Sequence, residues 1–509
     1  MRGRQERWAA IALGALVVVY VVAFSVLSIL RYETFHATTF DLGYFSQVVW
    51  NTAHGRWFET SVSRSTQAEL VGSYLGEHVA LILAAFAPLY RLWPDPRLLL
   101  ILQSAALGLG AVPLYALVRR RAGRPITALV VAGSYLLHPA LGFANLFDVH
   151  PIAFSVPLVL LAAWALEEER PVAFWIGVVL ALLTKEEMVI PLGTWGLITA
   201  LRGERRHTGL SLLIVATVWA GICFGVIIPA FNEGQSYKFL NLWSILPGVP
   251  APPSSGGIAQ ATAAASPEAV ALFLVHLLLP LGFLPFLSPG TLAAALPSLA
   301  YLLLGRRAAF HSVGYHYPSV LIPWFFLALV EGLEHLPPGA RGGRTRLRRV
   351  GLTFLAAGTL GTNVMLNPVV LQARAGFFRR EPYHDQIAEA LEPIPPAAPV
   401  AAGNRFGPAL ASRQILVPVE YPPPLRLDHV AMTDYVLLDL VDCRTVPAVD
   451  QRQAYAEMVM RILDTELFRV GLWEDRILLL ERGEPTQERL AEVRAYVRQL
   501  VEDDRPCWP

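Results

Sequence analysis

A chain of 509 residues that is 54% hydrophobic and only 16% charged, against roughly 25% charged in soluble domains, has too little polar surface to cover a globule of its size in water. Its 41 basic and 40 acidic residues nearly cancel to +1, and the basic ones stand in short clusters between apolar runs, so they read as membrane-topology signals and give no reason to expect a nucleic-acid partner. Cys223, Cys443 and Cys507 have no metal-ligand spacing; Cys223 sits in an apolar run as a small packing residue, and Cys443 with Cys507 is a candidate disulfide.

Arg2, Arg4 and Arg7 precede an apolar run from Trp8 to Leu30, which at about 23 residues is a full span with no small-residue cleavage site after it, and so a retained first helix. Further apolar segments at 97–118, 125–142, 151–166, 171–184, 188–201, 209–231, 268–287, 290–304, 318–335 and 350–366 bring the expected membrane helices to eleven. The segment His78–Trp93 is short and carries Pro88, with Pro94 and Pro96 just after it, and is read as interfacial or re-entrant. Charge agrees with that choice. It gathers Arg2, Arg4 and Arg7, the cluster 119–124, Arg170, Arg202, Arg205 and Arg206, and the run 341–349 on one side, sixteen basic residues against nine opposite. The bias places the N-terminus in the cytoplasm and, after eleven crossings, the C-terminus outside the cell inner or plasma membrane.

The expected domains are a membrane domain, 1–370, with an external loop 31–96 and a flap 232–267 rich in Pro, Gly, Ser and Ala, followed by a small extracytoplasmic α/β domain, 371–509. In the latter, strand-like runs Ile415–Val419, Tyr435–Leu440 and Ile477–Leu480 alternate with helical stretches near 450–464 and 485–501.

The candidate chemical groups gather near helix ends on the external face. Asp41, shortly after the first helix, serves either as a general base for a hydroxyl nucleophile or as the N-cap of a helix Leu42–Trp50. Glu77, His78, Asp148 and His150 combine carboxylate and imidazole, a set able to hold a divalent metal ion or equally to bond one another and cap helices. Lys185, Glu186 and Glu187 interrupt two apolar runs, where charge is costly unless paired or functional; Lys185 either binds a lipid phosphate or closes a turn with Glu186 or Glu187. Arg306 and Arg307, followed by His311, Tyr315, His316 and Tyr317, form a second cationic and aromatic cluster suited to phosphate or to anchoring at the interface.

The succession of a first helix, an Asp-bearing loop, a helix of the form His-(apolar)-Pro-Leu-Tyr, a membrane helix and a basic loop resembles the GT-C superfamily of membrane glycosyltransferases. Phe40-Asp41-Leu42-Gly43, Gly76-Glu77-His78 to Pro88-Leu89-Tyr90, Leu99–Gln103, His150-Pro151, Thr184-Lys185-Glu186 and Asp434–Asp439 are similar, over nearly the whole chain, to a domain-of-unknown-function family of prokaryotic membrane proteins grouped with those enzymes. The resemblance implies inverting transfer of a sugar from a polyprenyl-phosphate donor to an extracytoplasmic acceptor, with Asp41 at the position of the base and Lys185 at that of a lysine on the outer end of a middle helix. Tyr315-His316-Tyr317-Pro318 is similar to a Tyr-x-x-Pro element before a late helix. Val79 and Ala80 replace the prolines that follow the histidine in many such enzymes. The expected partners are the donor lipid and membrane lipids. The competing classes are a transporter of lipid or solute and an envelope-assembly protein without catalysis; transporters usually carry repeat symmetry, and no repeat is found.

Overall fold

The computed structural model describes residues 2–62, 69–232, 266–305, 308–335, 343–419, 426–441 and 449–502. Arg306, Arg307, Cys443, Cys507 and most of the flap, 233–265, lie outside the described residues. Two compact units result: Met1–Ile29, His78–Leu83 and Leu99–Gln372 form one, and Leu30–Glu77, Ala84–Leu98 and Ala373–Pro509 the other. Most of the loop 31–96, grouped with the membrane domain on sequence, therefore belongs with the C-terminal residues.

The first unit is helical, and proline sets many of its helix starts. Pro125, Pro139, Pro151, Pro171 and Pro267 each stand at the first position of a helix, where the missing N–H costs nothing. Gly123 closes the helix Ala111–Ala122 at φ +68°, a left-handed cap after the arginines 119–121. Helices Arg4–Glu33, Pro96–Ala122, Arg206–Phe231 and Arg349–Arg374 are long and apolar enough to cross a membrane. Pro125–Leu136 and Pro139–Leu146, bent by 44° at a short break, make a fifth if they act as one span.

The remaining expected spans are shorter than the roughly 20 residues a straight crossing needs. Ser155–Glu167, Pro171–Leu182 and Val189–Arg202 have 13, 12 and 14 residues. The segment 268–287 stops as a helix at Leu278 and turns through Gly282 and Phe283, both at φ +57°. The segment 290–304 divides into Pro289–Leu292 and Leu296–Leu304. An apolar window does not register such breaks. The segment 78–93 becomes a tight 3₁₀ stretch, Leu81–Phe86, and a single short helix, Ala87–Leu92, also too short to span.

The second unit contains a five-stranded mixed sheet. Its strands follow a hairpin formed by β1 (Glu59–Thr60) and β2 (Gly72–Ser73), and are β3 (Val400–Gly403), β4 (Leu416–Val419), β5 (Tyr435–Asp439), β6 (Phe468–Glu474) and β7 (Ile477–Arg482). The order is β4-β3-β5-β7-β6, with β3 parallel to both β4 and β5 and the other pairs antiparallel. Tyr455, Val459, Ile462 and Leu463 of helix Val449–Leu463, and Leu490, Val493 and Val497 of helix Gln487–Glu502, bury the sheet's Val436, Leu438, Leu478 and Leu480. Because β3 has a parallel neighbour on each side, the chain leaves it in one direction for β4 and comes back on the other side for β5. The carboxyl ends of β3 and β5 thus flank a topological switch point, the usual ligand crevice of open α/β sheets.

Candidate functional site

The predicted site residues fall into two groups, one in each unit. In the first unit, the connection between helices Pro171–Leu182 and Val189–Arg202 is too short to keep its charges apart. Lys185 Nζ lies 3.0 Å from a Glu187 oxygen. Burial opposes the charge on Lys185, but Glu187 and Glu186, together with Tyr301, outweigh it and hold the ammonium above its usual range. Glu186, only 1% exposed, is turned elsewhere. One of its oxygens lies 2.7 Å from Nδ1 of His78 and the other accepts the N–H of Val79 at 2.8 Å. A carboxylate only accepts, so Nδ1 of His78 carries the proton and Nε2 keeps its lone pair unless the ring is fully protonated. This is the carboxylate–imidazole arrangement that fixes a histidine's orientation and tautomer.

Gln103, a polar residue in an apolar helix, pins the turn that carries Asp148 and His150. Its Nε2 donates to the Asp148 carbonyl at 2.7 Å and its Oε1 accepts the His150 N–H at 2.8 Å. Asp148 itself is buried at φ +57°, a left-handed conformation unusual outside glycine and found most often where function or tight packing holds it. The His150 ring lies flat on that of His316, with centroids 3.5 Å apart and planes 14° from parallel, and Phe147, Tyr315 and Tyr317 enclose the pair. Burial, then the nearby His150, Lys185 and His78, keep the pKa of His316 well below that of a free histidine.

The expected metal set Glu77, His78, Asp148 and His150 does not come together. Glu77 accepts from the Tyr44 hydroxyl at 2.9 Å in the second unit, His78 points Nδ1 at Glu186, and His150 is covered on one face by His316. Among the described residues no group of three or more His, Cys, Asp or Glu could hold a metal ion.

Asp41 lies in the second unit, within a five-residue π-helical turn, Thr39–Gly43, that leads into helix Tyr44–Ala53. The cap position of that helix is taken by Gly43, not Asp41. The half-buried Asp41 carboxylate instead accepts the Thr38 hydroxyl at 2.8 Å. π-helical turns inside or beside α-helices occur often at functional sites. The turn is held by a segment that was not singled out from sequence. Thr39 N–H donates to both the backbone carbonyl and Oδ1 of Asn404, at 2.8 and 2.9 Å, and the Thr39 hydroxyl donates to the same carbonyl at 2.6 Å. The available signal was the Asn404-Arg405-Phe406-Gly407-Pro408 loop, turn chemistry closing an apolar run.

Nearby in the same unit, buried His384 accepts the Glu381 N–H on Nδ1 at 2.9 Å. Burial, with Arg405 and Arg380 and against Asp385, lowers its pKa to about 4; Arg476 acts in the same direction as the other arginines. The folded form therefore holds His384 neutral where the unfolded chain, near pH 6.5, begins to bind a proton. Its contribution to stability is complete above about pH 6.5 and is lost as the pH falls toward 4. Thermal melts of the full chain against pH should show that the His384→Gln variant loses less stability than wild type over this window; equal losses would refute the assignment.

None of the curated proteins compared matches this sequence. Among solved structures, ArnT from Cupriavidus metallidurans bound to undecaprenyl phosphate is similar at 14% identity and a TM-score of 0.52, covering 91% of this chain and 97% of that one. The apo state of the same protein is similar at 15% identity and a TM-score of 0.52, over 92% and 98%. At such identity the likeness is one of fold. The family described as "Predicted membrane protein (DUF2079)" matches residues 31–474, which is most of the chain, and together with the long apolar helices this identifies a multi-pass membrane protein that belongs to the DUF2079 family.

Proposed function

We propose that the protein is a GT-C-like inverting glycosyltransferase that moves a sugar from a polyprenyl-phosphate donor to an acceptor hydroxyl outside the cytoplasm. The observation that carries this reading is Asp41, a half-buried carboxylate set in a π-helical turn ahead of helix Tyr44–Ala53, in a chain whose fold is similar to that of ArnT, a GT-C glycosyltransferase solved with undecaprenyl phosphate. Asp41 takes the proton of the acceptor hydroxyl as its oxygen attacks the anomeric carbon, and the bond to the lipid phosphate breaks on the opposite face. Lys185, Arg306 and Arg307 are the candidates to steady the departing phosphate.

In this reading eleven crossings place the N-terminus in the cytoplasm and the C-terminal residues outside the plasma membrane. The test is transfer of radiolabelled sugar from a panel of polyprenyl-phosphate sugars in proteoliposomes. Transfer with at least one donor is expected. A wild type inactive with every donor offered that nevertheless moves a lipid or solute across the bilayer would replace the enzyme by a transporter.

A further inference from the structure

The C-terminal unit holds a chain of contacts that ends at the Asp41 turn. It begins with Asp439, the last residue of β5 and of the motif Asp434–Asp439, which the reaction described above does not use. Asp439 is 1% exposed and accepts both Nε and one terminal nitrogen of Arg476, each at 2.7 Å, a bidentate pair. The same carboxylate lies 3.2 Å from Arg405, itself buried, and the ring of Tyr383 is flanked by both guanidinium groups. Arg405 is thus fixed across the carboxyl ends of β3 and β5.

Its chain neighbour Asn404 supplies both acceptors to Thr39. Three residues after Asn404, Gly407 presses its Cα against the Thr39 side chain: a Cβ there would overlap the Thr39 hydroxyl and lie 2.6 Å from its Cβ. Gly43, at the other end of the π turn, meets the Gly407 carbonyl carbon and the Pro408 nitrogen, with a Cβ there only 3.2 Å from each. The turn is therefore held closely at both ends, at Thr39 by a backbone approach that only glycine at 407 allows.

We propose that Asn404 and Gly407 are positioning residues for Asp41, anchored through Arg405 on Asp439, so that the C-terminal unit is part of the apparatus that aims the base. The assignment rests on Asp41 as the base. A general base works only within hydrogen-bond reach of its proton, and a displacement of about 1 Å costs on the order of a hundredfold in rate.

The experiment uses the full-length chain in nanodiscs and compares wild type with Asn404→Ala, Asn404→Asp and Gly407→Ala. Asp retains a side-chain oxygen for the Thr39 N–H, whereas Ala does not. Hydrogen–deuterium exchange over residues 39–43 is expected to rise about fivefold to tenfold in Asn404→Ala and Gly407→Ala, and to stay near wild type in Asn404→Asp, with β5 and β7 unchanged in all three. In the transfer assay the first two variants lose kcat by about ten- to a hundredfold with the donor KM kept, and Asn404→Asp recovers most of it. Unchanged exchange at 39–43 in both disruptive variants overturns the proposal, as does a rise shared equally by β5 and β7, which would mark these residues as holding the fold alone. If exchange responds as expected while kcat in an active wild type does not, the grip on the turn stands and Asp41 as base falls. A wild type without transfer leaves the exchange arm to decide the grip by itself.

Discussion

Asp41→Asn is expected to lower kcat for sugar transfer by about 10²–10⁴-fold, the range for removing a general base, with the donor KM nearly unchanged. The substitution is close to isosteric. Its amide oxygen can still accept the Thr38 hydroxyl that Asp41 accepts at 2.8 Å, so the turn keeps its local bond while losing the ability to take up a proton. Thr38→Val supplies the contrast, since it leaves the carboxylate and removes only the donor; its loss should be far smaller. Steady-state kinetics in proteoliposomes with a saturating acceptor separate the two. A fully active Asp41→Asn would assign the base elsewhere.

The second large effect concerns stability. Asp439→Ala removes the carboxylate that Arg476 and Arg405 share in the interior of the C-terminal unit. Breaking a buried pair from one side typically costs about 3–5 kcal/mol, because the desolvated charge that remains is not compensated. For a unit of this size that lowers the thermal midpoint by on the order of 10 °C. Asp434, at the other end of the same motif, is half exposed and 3.5 Å from Arg482; Asp434→Ala should change stability by about 0.5 kcal/mol or less. Calorimetry or tryptophan fluorescence of the two variants checks the contrast, and an Asp439→Ala as mild as Asp434→Ala would show that the network is not a stabilising anchor.

Much of the membrane portion was legible because long apolar runs and helix-starting prolines announce themselves. Breaks inside the apolar runs were not legible, as in 268–287, where hydropathy continues through a backbone that has already turned at Gly282 and Phe283. In the C-terminal unit β4, β5 and β7 were visible as runs of branched and leucine residues. β3 was not: Val-Ala-Ala-Gly is buried on both faces, so it neither alternates nor carries the bulk that marks a strand. β6 was hidden for the opposite reason, since polar residues interleave on its exposed face and a bulge near Gly471 breaks its register.

In the candidate site, residue types were easier to read than partners. Lys185, Glu186, His78, His150 and His316 stand out as charged or imidazole groups at the ends of apolar runs. That Glu187 takes Lys185 while Glu186 reaches His78, 108 residues away in the chain, follows from the tertiary fold alone. Asp41 illustrates the limit. Position alone favours a cap over a base, and the π-helical turn that holds Asp41, with its support from Asn404, was not legible in the sequence.

The bonds between Thr39 and Asn404 join positions 365 residues apart. The turn bearing Asp41 is translated well before the acceptors that set it. Closing so long a loop is slow relative to local helix formation. The local shape of the Asp41 turn is thus a late product of folding, set only when the segment bearing Asn404 and Gly407 has closed on it.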